Sequence, residues 1–301
     1  MGAAILLHRP AAFAVKTPAK PVGTAFGCPR QFQDHQFVYT VISPRARGLS
    51  VGVNMNPDKK CNFDCVYCEV DRSEPGSNKT LDVARMSQEL EQTFEQIRCG
   101  TLRDLPCYQR LPAELLTLKH VTLSGDGEPT QCPNFVEAVQ TVMHLRARGK
   151  YPFFKTVLVT NTTGLPLPAV REGLRFFTNE DEIWAKLDAG TQEYLEHINR
   201  ATIPLAEILS NILAVARERP VIIQSLFAAY DGEPAPPQRE IQEFAARLKE
   251  LTAAGANISL VQIYSATRPS FSADCSHLPL RTLSSIAQTV RAVTGLRAEV
   301  F

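Results

Sequence analysis

Three cysteines stand close together in one polar segment of the chain. Cys61, Cys65 and Cys68 lie within residues 56–68, at spacings that let one loop curl its thiolates around a compact metal centre. Iron–sulfur clusters are held by cysteine thiolates, one for each iron. Three thiolates leave one iron of a four-iron cluster with an exchangeable position, and an open position on a metal is typical of a catalytic site. The spacing therefore predicts a catalytic [4Fe–4S] cluster.

Zinc is the alternative metal for these thiolates. A structural zinc site needs four ligands, and the sequence contains no second Cys-x-x-Cys and no His-x-x-x-His. Three unrelated core cysteines are a poor explanation, because the surrounding loop carries Asp and Lys residues. A non-enzymatic iron–sulfur or zinc binding module is thus the alternative to an enzyme.

Polar residues also follow later β-rich segments. Residues 124–130 contain two glycines, which let the backbone approach a ligand, and a carboxylate there can accept hydrogen bonds from an ammonium group. Taken alone, this segment is better explained as a Gly-rich turn. Thr160 and Asn161 suit contacts to a ribose or a carboxylate, although a helix cap or turn explains them equally well. Lys186 and Asp188 point to one face by strand alternation. Burying unpaired charge is costly, so this pair indicates function.

The cysteine spacing, with Tyr67 just before Cys68, resembles the signature of the radical S-adenosylmethionine (SAM) superfamily. In that family the open iron chelates SAM, and the reduced cluster cleaves SAM to methionine and a 5′-deoxyadenosyl radical that abstracts hydrogen from a substrate. Residues 124–130 resemble the family's Gly-Gly-Glu-Pro segment, with Asp126 inserted. The resemblance implies an oxidoreductase or transferase that uses a [4Fe–4S] cluster and SAM, with a flavodoxin- or ferredoxin-like electron donor.

Further segments resemble a radical SAM subgroup near the tRNA wyosine-base synthases. They are residues 186–189, residues 198–200 and the Arg268-Pro269 pair. Arginine recognises carboxylate or phosphate through two hydrogen bonds, so Arg200 and Arg268 are the predicted substrate-binding residues. The candidate cofactor-binding residues are Tyr67, Gly125, Asp126, Gly127, Glu128, Thr160, Asn161, Lys186, Asp188 and Tyr264.

Six β-rich segments that alternate with helical segments must position these groups. The strands are predicted near Leu49–Asn54, His120–Ser124, Thr156–Thr160, Ile183–Leu187, Val221–Leu226 and Leu260–Tyr264. Several are continuously apolar, as parallel strands covered on both faces are. Helices are predicted over Leu81–Arg98, Phe135–Leu145, Leu205–Arg217, Ile241–Leu251 and Leu283–Val293.

Six strand–helix units are too few to close an eight-stranded barrel. The predicted fold is therefore α/β, a partly open parallel (β/α)6 barrel or partial TIM barrel, with a flat doubly wound sheet as the alternative. The predicted organisation is an N-terminal extension over residues 1–40, expected to be flexible, and one barrel domain over residues 41–301. Residues 1–33 contain no Asp or Glu, which suits either a targeting segment or a disordered tail.

Composition restricts the partners. The 301 residues have a net charge of +1, which does not predict polyanion binding, and no apolar run approaches the roughly 20 residues that span a bilayer. The cysteine usage favours a reducing, cytoplasmic compartment. The substrate is expected to be tRNA, a peptide or protein, or a small metabolite. Residues that could form a basic rim for tRNA beside the cysteine loop are Arg45, Arg47, Lys59, Lys60 and Arg72.

Overall fold

The computed structural model describes residues 27–28, 32–76, 80–266, 270, 272 and 274–301. Arg268, Pro269 and most of the predicted N-terminal extension lie outside the described residues. The strands are, in chain order, Gly27–Cys28 (β1), Val38–Ser43 (β2), Gly48–Asn54 (β3), Leu118–Ser124 (β4), Lys155–Thr160 (β5), Glu182–Lys186 (β6), Val221–Leu226 (β7), Ala228–Ala229 (β8), Ile258–Tyr264 (β9), Ser276–His277 (β10) and Ala298–Val300 (β11).

Nine of these strands form one sheet in the spatial order β1-β2-β3-β4-β5-β6-β7-β9-β11. All pairs from β3 to β11 are parallel, and β1 and β2 add an antiparallel edge beside β3. The sheet does not close on itself. The predicted α/β, partly open parallel barrel is therefore confirmed, and all six predicted strands are present. The short β8 and β10 pair separately.

Helices lie between the parallel strands. They are Val83–Cys99 (α1), Phe135–Ala147 (α2), Pro168–Leu174 (α3), Gln192–Asn199 (α4), Leu205–Glu218 (α5), Gln238–Ala253 (α6) and Leu280–Thr294 (α7). Two ends show why the sequence forms these elements. The Asp82 side chain accepts a hydrogen bond from the Arg85 backbone N–H and so begins α1, whereas Gly295 in the left-handed conformation ends α7.

The core lies between the sheet and the helices. Every residue of β7 is buried, as its apolar sequence predicts for a strand covered on both faces. Helices α1 and α6 bury large side chains such as Phe94 and Phe244. Among the described residues, no helix has the length and apolar character needed to span a bilayer.

Seven of these strands and helices have no counterpart in the sequence-based prediction, namely β1, β2, β8, β10, β11, α3 and α4. Strand β11 has only three residues, and α3 and α4 have seven and eight. Elements this short give little periodic signal. Strands β1 and β2 both belong to the sheet, so residues 27–28 and 38–40 of the range assigned to the extension are part of it.

Candidate active site

A cavity of about 220 Å³ opens where the carboxyl ends of β3 to β6 meet, and all three loop cysteines line it. It also contains most of the predicted cofactor-binding side chains. The predicted metal and cofactor residues that line the cavity are Cys61, Cys65, Cys68, Tyr67, Gly125, Gly127, Glu128, Thr160, Asn161, Lys186 and Asp188. Asn199 lines it as well. Residues from five separate chain segments therefore converge on one place, as the topology of a parallel sheet requires.

The cysteine loop follows β3 and is held against the end of α4. The backbone N–H of Asp64 donates to the carbonyl of Asn199 at 3.1 Å, and that of Val66 donates to the carbonyl of Ile198 at 2.9 Å. These carbonyls belong to the last turn of α4, where helical partners are missing. The end of α4 therefore fixes the backbone on both sides of Cys65.

Two glycines allow the next loop to pack on the cysteine loop. A Cβ on Gly127 would lie 1.9 Å from the carbonyl oxygen of Lys60, and a Cβ on Gly125 would lie 2.3 Å from Oδ1 of Asn54. Gly125 also has a φ of +147°, which other residues rarely adopt. These glycines therefore allow the backbone of the loop after β4 to lie close to residues 54–60 of the same chain.

The thiols are partly withdrawn from water. Burial raises the pKa of Cys65 to about 12, with the nearby Asp188 carboxylate adding to the effect. Burial also raises the pKa of Cys61. Without metal these two thiols are protonated at neutral pH, so metal binding at this site must release protons.

A buried polar network lies behind Cys65. The Tyr67 hydroxyl donates to Oδ2 of Asp188, and Lys186 pairs with Oδ1 of the same carboxylate at 2.9 Å. The Asn199 side-chain amide donates to the Tyr67 hydroxyl at 2.9 Å and to Oδ2 of Asp188 at 3.0 Å. Burial, reinforced by Asp188, raises the pKa of Tyr67 well above its usual value, so this hydroxyl keeps its proton.

Lys186 stays charged inside this network. Burial alone would lower the pKa of Lys186, but Asp188 and the Tyr264 hydroxyl, at 3.0 Å, raise it above the usual value. The ammonium also lies 5.1 Å from the centres of the Tyr67 and Tyr264 rings. The charged pair expected from strand alternation is thus present and fully partnered.

Glu128 is buried and bonded to its own chain. Its Oε1 accepts hydrogen bonds from the backbone N–H and hydroxyl of Thr130 and from the Thr160 hydroxyl, at 3.1, 2.6 and 2.5 Å. Its Oε2 accepts one from the backbone N–H of Asn161 at 2.7 Å. Burial nevertheless raises the pKa of this carboxyl group. A carboxylate offers about four acceptor positions, so little capacity is left for a ligand.

A second cavity, of about 370 Å³, adjoins the first and shares Tyr67, Cys68, Gly125 and Lys186 with it. The remaining predicted cofactor-binding residues, Asp126 and Tyr264, line this second cavity instead. Oδ2 of Asp126 accepts a hydrogen bond from the Asn54 amide at 2.9 Å.

The donor set fits a cluster. Within the described ranges, no group of three or more His, Cys, Asp or Glu side chains could hold a metal ion. Cysteines that share a cluster bind different irons, one thiolate to each, so they need not converge on one point. Three thiols that line one cavity, with the nearby Asp188 and Glu128 carboxylates already hydrogen-bonded within the protein, match that requirement.

Arg200, one of the two predicted substrate arginines, lines neither cavity. Arg200 is exposed at the end of α4, where it pairs with Asp64 at 3.0 Å and donates to the Tyr230 hydroxyl at 3.1 Å. Arg268 lies outside the described residues. A role for either residue in substrate binding stays a prediction.

The predicted basic rim beside the cysteine loop is wrong in part. Arg45 and Arg47 lie in the turn that precedes β3, and they line a cavity at the amino ends of the strands, beside Lys119 and Lys155. The seven residues of β3 span roughly 23 Å, which separates this turn from the cysteine loop. Only Arg45 also reaches the second cavity.

The other basic residues of the predicted rim lie in the loop or just after it, and two of them stabilise it. Lys59 donates to the carbonyls of Asp71 and Glu74 at 2.6 and 3.0 Å. Arg72 donates to the carbonyls of Lys59 and Asp126 and lies 3.9 Å from the Cys68 sulfur.

Asn199 is the residue of this site that the prediction lacked. Its amide lies 3.3 Å from the Cys65 sulfur, in addition to its bonds with Tyr67 and Asp188. The available signal was its place in residues 198–200, which the subgroup resemblance already contained. Within that segment the prediction named only Arg200, the charged neighbour of Asn199.

Several proteins of known sequence are similar to this chain, although no family model matches it. A UPF0026 protein of Helicobacter pylori strain J99 is 27% identical over 186 residues, which are 60% of this chain and 52% of that protein. A UPF0026 protein of Synechocystis is 29% identical over 184 residues, 60% of each protein. The chain spans about half the length of the Helicobacter relatives that it matches.

Two solved structures share the architecture. SuiB of Streptococcus suis, solved bound to S-adenosylmethionine, gives a TM-score of 0.56 over 81% of this chain and 49% of that one, at 13% identity. TYW1, solved with a lysine–pyruvate adduct bound, gives 0.53 over 81% and 74%, at 17% identity. Both are radical SAM enzymes. The chain has the radical SAM fold. The resemblance inferred from the cysteine loop is thus confirmed at the level of the fold.

Proposed function

We propose that this chain is a SAM-dependent radical enzyme whose cluster is held by Cys61, Cys65 and Cys68. The observation that carries the proposal is that the three thiols share one cavity with the polar residues at the ends of β4, β5 and β6. A metal site with a purely structural role would not need the polar residues at those strand ends. The radical SAM fold supports the same function.

Different residues of the cavity would bind the cluster and SAM. The three thiolates would hold a [4Fe–4S] cluster, and Thr160, Asn161 and the 125–128 backbone would contact SAM. When bound, this pair of cofactors would supply a 5′-deoxyadenosyl radical, after one electron from a flavodoxin- or ferredoxin-like donor. The protein orients the cofactors and excludes water.

The second cavity is proposed to receive the part of the substrate that loses hydrogen. Its volume of about 370 Å³ is at the lower end for small-molecule pockets. It therefore suits a small metabolite, one amino-acid side chain or one nucleobase, rather than a larger rigid group. We propose that the reaction is that of an oxidoreductase or a transferase.

Metal loading tests the proposal. Anaerobic reconstitution with iron and sulfide is expected to load about one four-iron cluster per chain. Replacement of Cys61, Cys65 or Cys68 by Ala abolishes loading, because each removes a ligand. The matched control is Cys99→Ala, which alters an exposed cysteine at the end of α1. Iron content and visible absorbance are the measurements, and stoichiometric zinc without iron absorbance contradicts the proposal.

Activity provides the second part of the test. The reduced, loaded protein is expected to form 5′-deoxyadenosine slowly from SAM even without substrate, as detected by mass spectrometry. A loaded and reduced protein that leaves SAM intact would be an iron–sulfur binding module rather than an enzyme.

A further inference from the structure

Asn199 makes a contact with the cysteine loop for which the proposed function gives no reason. Its side chain is 1% exposed, and its Nδ2 lies 3.3 Å from the Cys65 sulfur. The same nitrogen lies 2.9 Å from the Tyr67 hydroxyl and 3.0 Å from Oδ2 of Asp188. A side-chain amide carries two N–H donors, so the contacts must be divided between two hydrogens.

The geometry indicates how they are divided. The Tyr67 hydroxyl already donates to Oδ2 of Asp188, so these two oxygens are neighbours and one N–H can point between them. The other N–H is left for the Cys65 sulfur. The reverse orientation of the amide would turn its oxygen toward a carboxylate and a thiolate, which is electrostatically unfavourable.

The backbone makes this contact rigid. The carbonyls of Ile198 and Asn199 accept hydrogen bonds from Val66 and Asp64, on either side of Cys65. Arg200 takes the left-handed conformation with a φ of 47° and pairs with Asp64. The end of α4 and the loop are thus joined at several points that hold the Asn199 backbone beside Cys65, and the bonds to Tyr67 and Asp188 orient its amide.

We propose that Asn199 is a positioning residue that raises the reduction potential of the cluster by donating a hydrogen bond to the Cys65 thiolate. The inference rests on the proposed function. Reduction adds negative charge to a cluster and its thiolates, and a hydrogen bond to a ligand sulfur stabilises that charge. Hydrogen bonds to the sulfurs are among the features that set cluster potentials. The contact therefore makes the cluster easier to reduce.

The test is a redox titration of reconstituted protein without SAM, followed by electron paramagnetic resonance. Asn199→Leu keeps the size of the side chain and removes both donors, so its midpoint potential is expected to shift to a more negative value at unchanged iron content. Asn199→Asp also replaces the amide by an acidic group and is expected to shift it further. The matched control is Asn211→Leu, which removes a buried amide that donates to the Thr162 carbonyl, away from the thiols.

The outcomes separate this inference from the proposed function. An iron-loaded Asn199→Leu variant with the wild-type potential overturns the inference alone. Wild-type protein that takes up no iron overturns the proposed function and, with it, the inference. A purely structural role for Asn199 predicts lost iron without a shift in the potential of the cluster that remains.

A measurement on the wild-type protein covers the case in which the variants load poorly. Protein labelled with ¹⁵N in its asparagine side chains is expected to show a ¹⁵N coupling to the reduced cluster in pulsed electron paramagnetic resonance. The absence of that coupling contradicts the hydrogen bond.

Discussion

At the scale of single residues, the site is notable for how completely its charged groups are bonded within the protein. Glu128 accepts four hydrogen bonds from Thr130, Thr160 and Asn161. The resemblance implies that this segment binds the amino group of SAM. Glu128 also has a structural role, because its hydrogen bonds connect the loop after β4 to the end of β5.

Glu128→Gln is therefore expected to destabilise the protein and to weaken SAM binding while iron is retained. The amide N–H group of the new glutamine would face N–H or O–H donors that now bond to the carboxylate. This lowers the free energy of unfolding by about 1–3 kcal/mol. Urea denaturation and equilibrium dialysis with SAM are the measurements. The control is Glu172→Gln on the exposed side of α3, and normal SAM affinity in Glu128→Gln would mean that the segment is only a turn.

At the scale of elements, the cysteine loop is positioned by two neighbours. The end of α4 holds the backbone around Cys65, and the loop after β4 packs on the carbonyl of Lys60 through Gly127. The Glu128 backbone N–H also donates to that carbonyl at 3.0 Å. The two loops can pack this closely only because Gly127 has no side chain.

Gly127→Ala is expected to lower iron loading strongly, because its Cβ would lie 1.9 Å from the Lys60 carbonyl oxygen and would displace the loop. Gly149→Ala serves as the control. Gly149 has a φ of +64° and open space around it, so the substitution costs about 1–2 kcal/mol of backbone strain without touching the loop. Equal iron contents in the two variants would refute the positional argument.

The strands could be predicted from the sequence, whereas contacts between distant elements could not. Continuous apolar runs such as Val221-Ile222-Ile223 predict the strands, because a strand covered on both faces needs apolar side chains on both. Asn199 could not be found in this way, since it meets Cys65 across 134 residues of chain and no local spacing encodes that contact. Arg47 lies away from the cysteine loop, because closeness in sequence does not determine which end of a strand a residue occupies.

At the scale of the whole molecule, three buried carboxylates connect neighbouring parts of the fold. Glu89 on α1 accepts the backbone N–H groups of residues 36–38 at the start of β2. Glu240 on α6 accepts those of Gly190 and Thr191 before α4. Asp181 pairs with Arg146 and accepts the backbone N–H groups of residues 156 and 178. Protonation of such groups weakens the contacts between elements.

Asp181→Asn is expected to cost about 3–5 kcal/mol at neutral pH, because Arg146 loses its buried partner. Although burial raises the pKa of Asp181, hydrogen bonds from Arg146 and the backbone lower it more, so the net shift is downward. The wild-type stability from this group is therefore present above the ordinary value of 3.8 and is lost as the pH falls through the lower folded pKa. Denaturant titrations at several pH values measure this.

The difference between wild type and Asp181→Asn is expected to shrink below pH 3.8. The control is Asp34→Asn, which alters an exposed carboxyl group near β2. A difference that stays constant down to low pH would mean that the carboxylate charge is not what stabilises this junction.

Trp184 gives the molecule an optical probe. It is the only tryptophan in the sequence, it is 4% exposed on β6, and its ring is 5.6 Å from the Arg45 guanidinium, which also stacks on Tyr264 at 4.4 Å. All tryptophan emission therefore originates from one position inside the barrel, next to the side chain that borders the second cavity. Iron–sulfur chromophores absorb where tryptophan emits, so fluorescence quenching can follow cluster assembly in real time without any added label.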